Sequence, residues 1–404
     1  MSRSYHAPMS DRGPPGDDPF GGIPFIGELL KMMQGVGRPS SDTARQLART
    51  IATGGESEPN IDPSDRIEVE ELMRVAELRV ADVTGLPLGQ AGAVRVEVGN
   101  RTQWADRTIE DYRPLFEELS TSMAAGLSAP PELPEEDPMA SMMAGLAEMI
   151  GPLMLGMTTG SMVGHLAQRA LGGYELPVPR PEGRPLLVSL RNVDDFGRAW
   201  SLDPSDLRLW VCLHEVAHEA VMSVPHVRAR LDDLLRRHAS GFESDPAVLE
   251  QKLGGFDLAA GPESLADLQA ALGDPDLILG AVRSPAQEAL QPELTAMVAA
   301  VTGYVDHVMD EIGTSLIGTY PMLTEALRRR RVEADVSDRF VERILGLELD
   351  REHYDRGTDF VAGIVERAGT DGLGLLFSVP EHLPTPNEVD APGLWLARIE
   401  LPDD

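Results

Sequence analysis

His214-Glu215-Val216-Ala217-His218 is the stretch on which the reading of this chain turns. It follows Asp203-Pro204-Ser205-Asp206, where Asp203 can cap a helix, Pro204 suits its first position and Asp206 adds negative charge to its first turn. The helix is expected to run to about Val224, before Pro225. On it His214 and His218, four residues apart, project from one face, so their ring nitrogens can converge on one ion. Glu215 leans beside that point, where a general base takes a proton from a metal-bound water. The flanking Leu207, Leu209, Trp210, Val211 and Leu213 are apolar and imply a buried helix. Two buried histidines beside a buried glutamate need a partner, and a divalent cation, Zn2+, is a natural one. The plainer alternative is a helix whose histidines are satisfied by ordinary hydrogen bonds.

A third donor must come from elsewhere. One common continuation of the motif needs Gly at 221 and His at 224, but Val221 and Val224 stand there, and His226 is out of phase behind Pro225. A carboxylate from a second helix is the other arrangement. Residues 285–312 read as that helix, with Thr302, Asp306, His307 and Asp310 clustered along it. Asp306 is the first choice as third ligand, with His307 a structural group or an alternative.

Outward from the motif, helical spacing covers 65–84, ending at Gly85, and 103–127 as one or two helices. Further helices are expected at 226–240, 263–272, 322–331, 337–347 and 351–368. Leu186–Leu190 is the clearest strand. Residues 1–64 are poor in bulky apolar side chains and are expected to be disordered or loosely docked. Residues 129–138 form a Pro/Glu-rich linker, and 65–404 make a single domain with a Pro-rich tail from Leu375, expected to be extended. The Met- and Gly-rich stretch 139–164 is interrupted by Glu148 and Pro152. Its Gly156, Gly160 and Gly164 share a helix face that another backbone can approach, which favours a buried helix over a membrane span. The fold class is therefore mainly α with minor β, built around a buried His-Glu-x-x-His helix.

Composition narrows the partners. With 66 acidic against 35 basic residues the formal net charge is -31, which repels phosphate backbones and anionic lipid, so neither nucleic acid nor stable membrane insertion is expected. Cys212 is the only cysteine and rules out an intrachain disulfide. Residues 1–18 carry no apolar run of the secretory kind, and a cytoplasmic location is expected. The run Arg328–Arg331 reads as a solvated helix face. Tyr304, Tyr320, His353 and Tyr354 read as packing residues with satisfied polar tips.

Several segments resemble a family of actinobacterial zincin-like proteins described as zinc-dependent metalloproteases or hydrolases, some named for an association with coenzyme F420 biosynthesis. They are Leu171-Gly172 with Tyr174, Leu209-Trp210 ahead of the histidine motif, Val224-Pro225 and Gly303 to Asp310. Tyr354 to Phe360 and Leu383-Pro384-Thr385 with Glu388, Pro392, Trp395 and Arg398 extend the likeness over roughly residues 65–400. The resemblance implies a zinc metallohydrolase, a peptidase acting on a peptide or protein substrate, with Glu215 catalytic and His214 and His218 on the metal. Where that family's pattern has Glu, this chain has Thr302, and where it usually has Trp, this chain has His226. Two readings follow: an active site completed by Asp306, or a degenerate scaffold protein with a binding or regulatory role.

Overall fold

The computed structural model describes residues 39–88, 94–127, 156–242, 284–332 and 341–400. Apart from Pro39 they belong to one compact unit, Ser40–Asp404. In chain order the elements are α1 (Pro39–Thr53), α2 (Pro63–Thr84), β1 (Val96–Gly99), α3 (Arg101–Asp111), α4 (Arg113–Leu127) and α5 (156–169). There follow β2 (Leu186–Ser189), α6 (Leu190–Trp200), α7 (Pro204–Met222), α8 (Pro225–Ser240), α9 (Pro285–Leu316) and α10 (Tyr320–Val332). The chain closes with α11 (Arg351–Gly374), a 3-10 turn at Pro380–His382, α12 (Pro386–Asp390) and α13 (Pro392–Glu400). The protein is thus mainly α with minor β. The expected helix at 263–272, residues 337–340 of that at 337–347, and the linker 129–138 lie outside the described residues, while 341–344 are helical as expected.

Local chemistry sets the ends of the two helices that matter most. On α7 the Asp203 side chain accepts from the backbone N–H of Ser205 and of Asp206, with Pro204 at the first position. On α9 Ser284 and Gln287 form a reciprocal capping box ahead of Pro285. Every apolar side chain from Trp210 to Val216 on α7 is buried, as the apolar flanks imply.

α7 lies against α2 and α9, and α9 packs most extensively on α11. The α9–α11 crossing is a backbone contact. A Cβ at Gly303 would lie 2.2 Å from the Gly357 carbonyl oxygen, and one at Gly357 would lie 2.4 Å from that of Ala299. This close approach brings the start of α11, with His353 and Tyr354, up to Thr302 and Asp306. The β1–β2 pair is parallel, with Val96 opposite Leu186 and Gly99 opposite Ser189. The chain at Gly172 bridges the other side of β2 in antiparallel fashion.

Three expectations need correction. Within 1–64, residues 39–53 form α1, whose Ala44, Ala48 and Ala52 are buried. A Cβ at Gly160 would reach within 2.6 Å of the Ala44 carbonyl oxygen, and one at Gly164 within 3.0 Å of that of Ala48. Glycines of α5 let the backbone of α1, with Leu47 and Ile51, come close, a contact that the composition of residues 1–64 does not announce. The glycine face of α5 is used as expected, and among the described residues no helix is long and apolar enough to cross a membrane.

The second correction is the tail. Pro380, Pro386 and Pro392 each open a short helical segment rather than interrupt one, because proline's fixed φ and missing N–H suit a helix's first turn. Third, β1 and α6 escaped the sequence reading. β1 is only four residues long, too short for alternation to be distinctive. On α11 the regular helix does stop at Ala368, since Gly369 takes φ 70°.

Candidate functional site

α7 presents His214 and His218 to a cavity of about 70 Å³. Its wall is completed by Tyr174 and Glu175, by Thr302 and Asp306 of α9, by Arg330 and Arg331 of α10, and by Tyr354 of α11. The two imidazole centroids are 4.3 Å apart. Each ring is held by an aromatic neighbour: Trp210 stacks on His214 at 4.9 Å and Tyr174 on His218 at 5.4 Å. With its proton on Nδ1, His218 donates to the His214 carbonyl oxygen at 3.0 Å, which leaves Nε2 as the nitrogen without that engagement. Burial, with lesser help from Arg331, brings the pKa of His214 down to about 3. Burial and the neighbouring His214 depress that of His218 well below its usual value. Both rings are therefore neutral at pH 7, the state a metal ligand requires.

Glu215 is almost wholly buried and faces the turn that follows α5. Its carboxylate accepts the N–H of Gly173 at 2.8 Å and that of Tyr174 at 3.1 Å. The turn is itself tied down. Gly173 N–H donates to Leu187 of β2, the Trp104 indole donates to the Gly172 carbonyl, and Arg180 reaches the Gly173 carbonyl while pairing with buried Asp111. A Cβ at Gly172 would lie 2.2 Å from Glu215 Oε1, so only glycine leaves room for the carboxylate. Burial pushes the Glu215 pKa up to about 8, against the two amide hydrogen bonds and Arg180, which act to lower it. His214 Nδ1 lies 3.8 Å from Glu215 Oε1.

The expected third ligand has another partner. Both Asp306 oxygens accept from the Arg331 guanidinium, at 2.9 to 3.0 Å, and Arg331 lies over the Tyr354 ring at 4.8 Å. Burial alone would raise the Asp306 pKa, but Arg331 outweighs it and holds it below its usual value. Thr302 lines the cavity, yet its hydroxyl donates back to its own helix, to Val298 at 3.0 Å or Ala299 at 3.3 Å, with His353 Nε2 at 3.4 Å. His307 is not among the described residues lining the cavity.

Among the described residues no group of three or more His, Cys, Asp and Glu is placed to hold one ion. Zinc sites in proteins take three or four such ligands. The two imidazoles suit zinc; the set as a whole does not. The sequence-derived trio His214, His218 and Asp306 shares one cavity without forming one donor set, and Asp306 is engaged by Arg331.

The reading of Arg328–Arg331 as a solvated face holds for Arg329, which pairs with Glu325 in the open. It fails for Arg330 and Arg331, which turn inward. Arg330 donates to Glu175 at 2.7 Å and to the Arg169 carbonyl at 2.8 Å. A helical wheel would have separated them: residues 330 and 331 follow buried Leu323, Ala326 and Leu327 by three to eight positions. Arg180 left no such signal. Of the aromatic residues, Tyr320 donates to Asp310 at 2.7 Å as read and Tyr304 packs edge-on to Phe377, while Tyr354 lines the cavity beneath Arg331.

A model of the zincin-like metallopeptidase family matches residues 40–396, and the chain belongs to that family. Among solved structures it is similar to one from Chloroflexus aurantiacus, described as "a putative hydrolase with a novel fold". The two share 22% sequence identity and a TM-score of 0.59, over 90% of this chain and 99% of the other. That likeness is one of fold. No curated protein matches.

Proposed function

We propose that this chain is a zincin-scaffold protein that works by binding, without a three-ligand zinc centre. The observation that carries this reading is the Asp306–Arg331 pair, in which one guanidinium takes both carboxylate oxygens beside the histidines. Thr302, the other α9 side chain facing the cavity near the histidines, offers a neutral hydroxyl already bonded to its own helix. Glu215 serves the 172–174 turn as an acceptor for two amide hydrogens. Each group that zinc hydrolysis would recruit beyond the histidines thus has a structural partner. What remains is a partly open cavity, walled by aromatic and charged side chains, with two neutral imidazoles and room for a few non-hydrogen atoms of a ligand.

A second reading, a zinc-dependent peptidase with Glu215 as base and His214, His218 and Asp306 as ligands, is favoured by one observation. The two neutral imidazoles and the glutamate stand together at one cavity. It requires Arg331 to release Asp306. Calorimetric zinc titration of the full chain, with peptide-library hydrolysis by the wild type and Glu215→Gln, separates the two. The binding-protein reading expects zinc no tighter than two histidines provide, roughly micromolar or weaker, and no hydrolysis that depends on Glu215. Nanomolar zinc together with activity lost in Glu215→Gln would overturn it.

A further inference from the structure

α2 has two working faces. Val69, Met73, Ala76 and Val80 are buried on the side where α7 packs. On the opposite side Ser64, Ile67, Glu71, Arg74, Leu78 and Ala81 are all exposed. Their spacing alternates three and four residues, the repeat with which one helix lies along another. Exposed aliphatic side chains scattered singly are ordinary. Here Ile67, at 57% exposure, and Leu78, at 71%, stand symmetrically about the midpoint of one stripe, with Val75 beside it. The charges between them are available. Asp65 and Glu68, to one side, pair with Arg208 of α7, whereas among the described residues no ion pair engages Glu71 or Arg74.

The order of the stripe, apolar, acidic, basic, apolar, selects its own partner. Laid parallel to a second copy, Glu71 would meet Glu71 and Arg74 would meet Arg74. Laid antiparallel about the midpoint, Ile67 faces Leu78 of the second copy and Glu71 faces its Arg74, each contact occurring twice. The small Ser64 and Ala81 then meet at the ends. Such a surface is self-complementary, as a two-fold interface must be. We propose that α2 is the seam of an antiparallel homodimer, in which two copies of this chain meet along Ile67, Glu71, Arg74 and Leu78. The aliphatic pairs supply the burial, and the ion pairs set orientation more than strength. One helix from each copy makes a small interface, and a net charge of -31 on each copy opposes association. The dimer is therefore weak, with a dissociation constant on the order of tens of micromolar. No α2 residue is among the described residues lining the cavity, so the dimer and the function proposed above are tested separately.

Sedimentation velocity of the full-length protein, from about 5 to 200 µM in about 150 mM NaCl, reads the association directly. Wild type should pass from monomer to dimer over that range. Leu78→Asp should stay monomeric throughout, with an unchanged circular dichroism spectrum because the side chain lies mostly in solvent. Ile67→Asp serves in the same design if the Leu78 variant does not fold. Glu71→Arg or Arg74→Glu alone sets like charges against each other at both crossings and should weaken the dimer about tenfold or more. Mixing these two variants should restore the dimer, because each supplies the charge the other lacks. The double variant Glu71→Arg with Arg74→Glu should dimerise by itself for the same reason. A wild type that is monomeric at the top of the range, or a dimer indifferent to Leu78→Asp, overturns the proposal. So do single charge reversals that have no effect or that mixing does not rescue, since the antiparallel pairing of Glu71 with Arg74 would then be wrong.

Discussion

At Glu215 burial and hydrogen bonding pull in opposite directions. Burial pushes the carboxyl pKa up to about 8, while the Gly173 and Tyr174 amides favour the charged form. Glu215→Ala strands the Tyr174 amide, while the Gly173 N–H keeps the Leu187 carbonyl, and about 1–3 kcal/mol of stability should be lost, measured by urea unfolding. The histidines behave differently. His214 is brought down to about 3 and His353 to about 4, both chiefly by burial, from 6.5. A folded pKa below the unfolded one means the unfolded chain binds more protons between the two values. That contribution is complete above about pH 6.5 and is lost as pH falls, at up to roughly 1.4 kcal/mol per unit for each group. Glu215, raised from 4.5, has the opposite sign, and its contribution declines as pH rises from 4.5 to about 8. Unfolding midpoints measured from pH 4 to 9 should therefore peak near neutrality. His214→Gln should soften the acid limb and Glu215→Gln the alkaline one; unchanged limbs would mean these groups titrate alike in both states.

At the scale of elements, the α9–α11 crossing sets the cavity's far wall. Alanine is intrinsically better than glycine in a helix by about 1 kcal/mol. At Gly357 the sign should reverse, since the new Cβ would lie 2.4 Å from a carbonyl oxygen that cannot give way without moving α9. Gly357→Ala should destabilise by roughly 2–3 kcal/mol, and the shift of α11 should move Tyr354 from under Arg331. Chemical denaturation reads the first effect and a crystal structure the second. Gly374, where an added Cβ meets nothing within 4 Å, is the matched control.

Over the whole molecule, charge is the dominant imbalance: 66 acidic residues against 35 basic. Surface ion pairs are numerous, among them Arg236 with both Asp232 and Glu118, but each is worth little and cannot offset an excess of 31 negative charges. Raising NaCl from about 20 to 200 mM shortens the Debye length from roughly 20 to 7 Å. The thermal midpoint should rise with it as self-repulsion is screened. A midpoint that falls instead would show that the ion pairs contribute more than the net charge opposes.

The sequence by itself determined what depends on near neighbours. The caps and spacing of α7 placed His214, Glu215 and His218 on one buried helix, the Ser284 box opened α9, and the glycine face of α5 foretold a close backbone contact. These are properties of a few consecutive residues, where helix geometry alone decides which side chains share a face. Only the tertiary structure decided what those side chains touch. Arg331 reaches Asp306 from 25 residues away, and the Gly173 and Tyr174 amides meet Glu215 across 42 and 41. No local rule ranks such partners, because a buried carboxylate is equally satisfied by a metal, a guanidinium or an amide. The motif could announce a place for zinc, but that Asp306 beside it is held by a guanidinium was for the fold to decide.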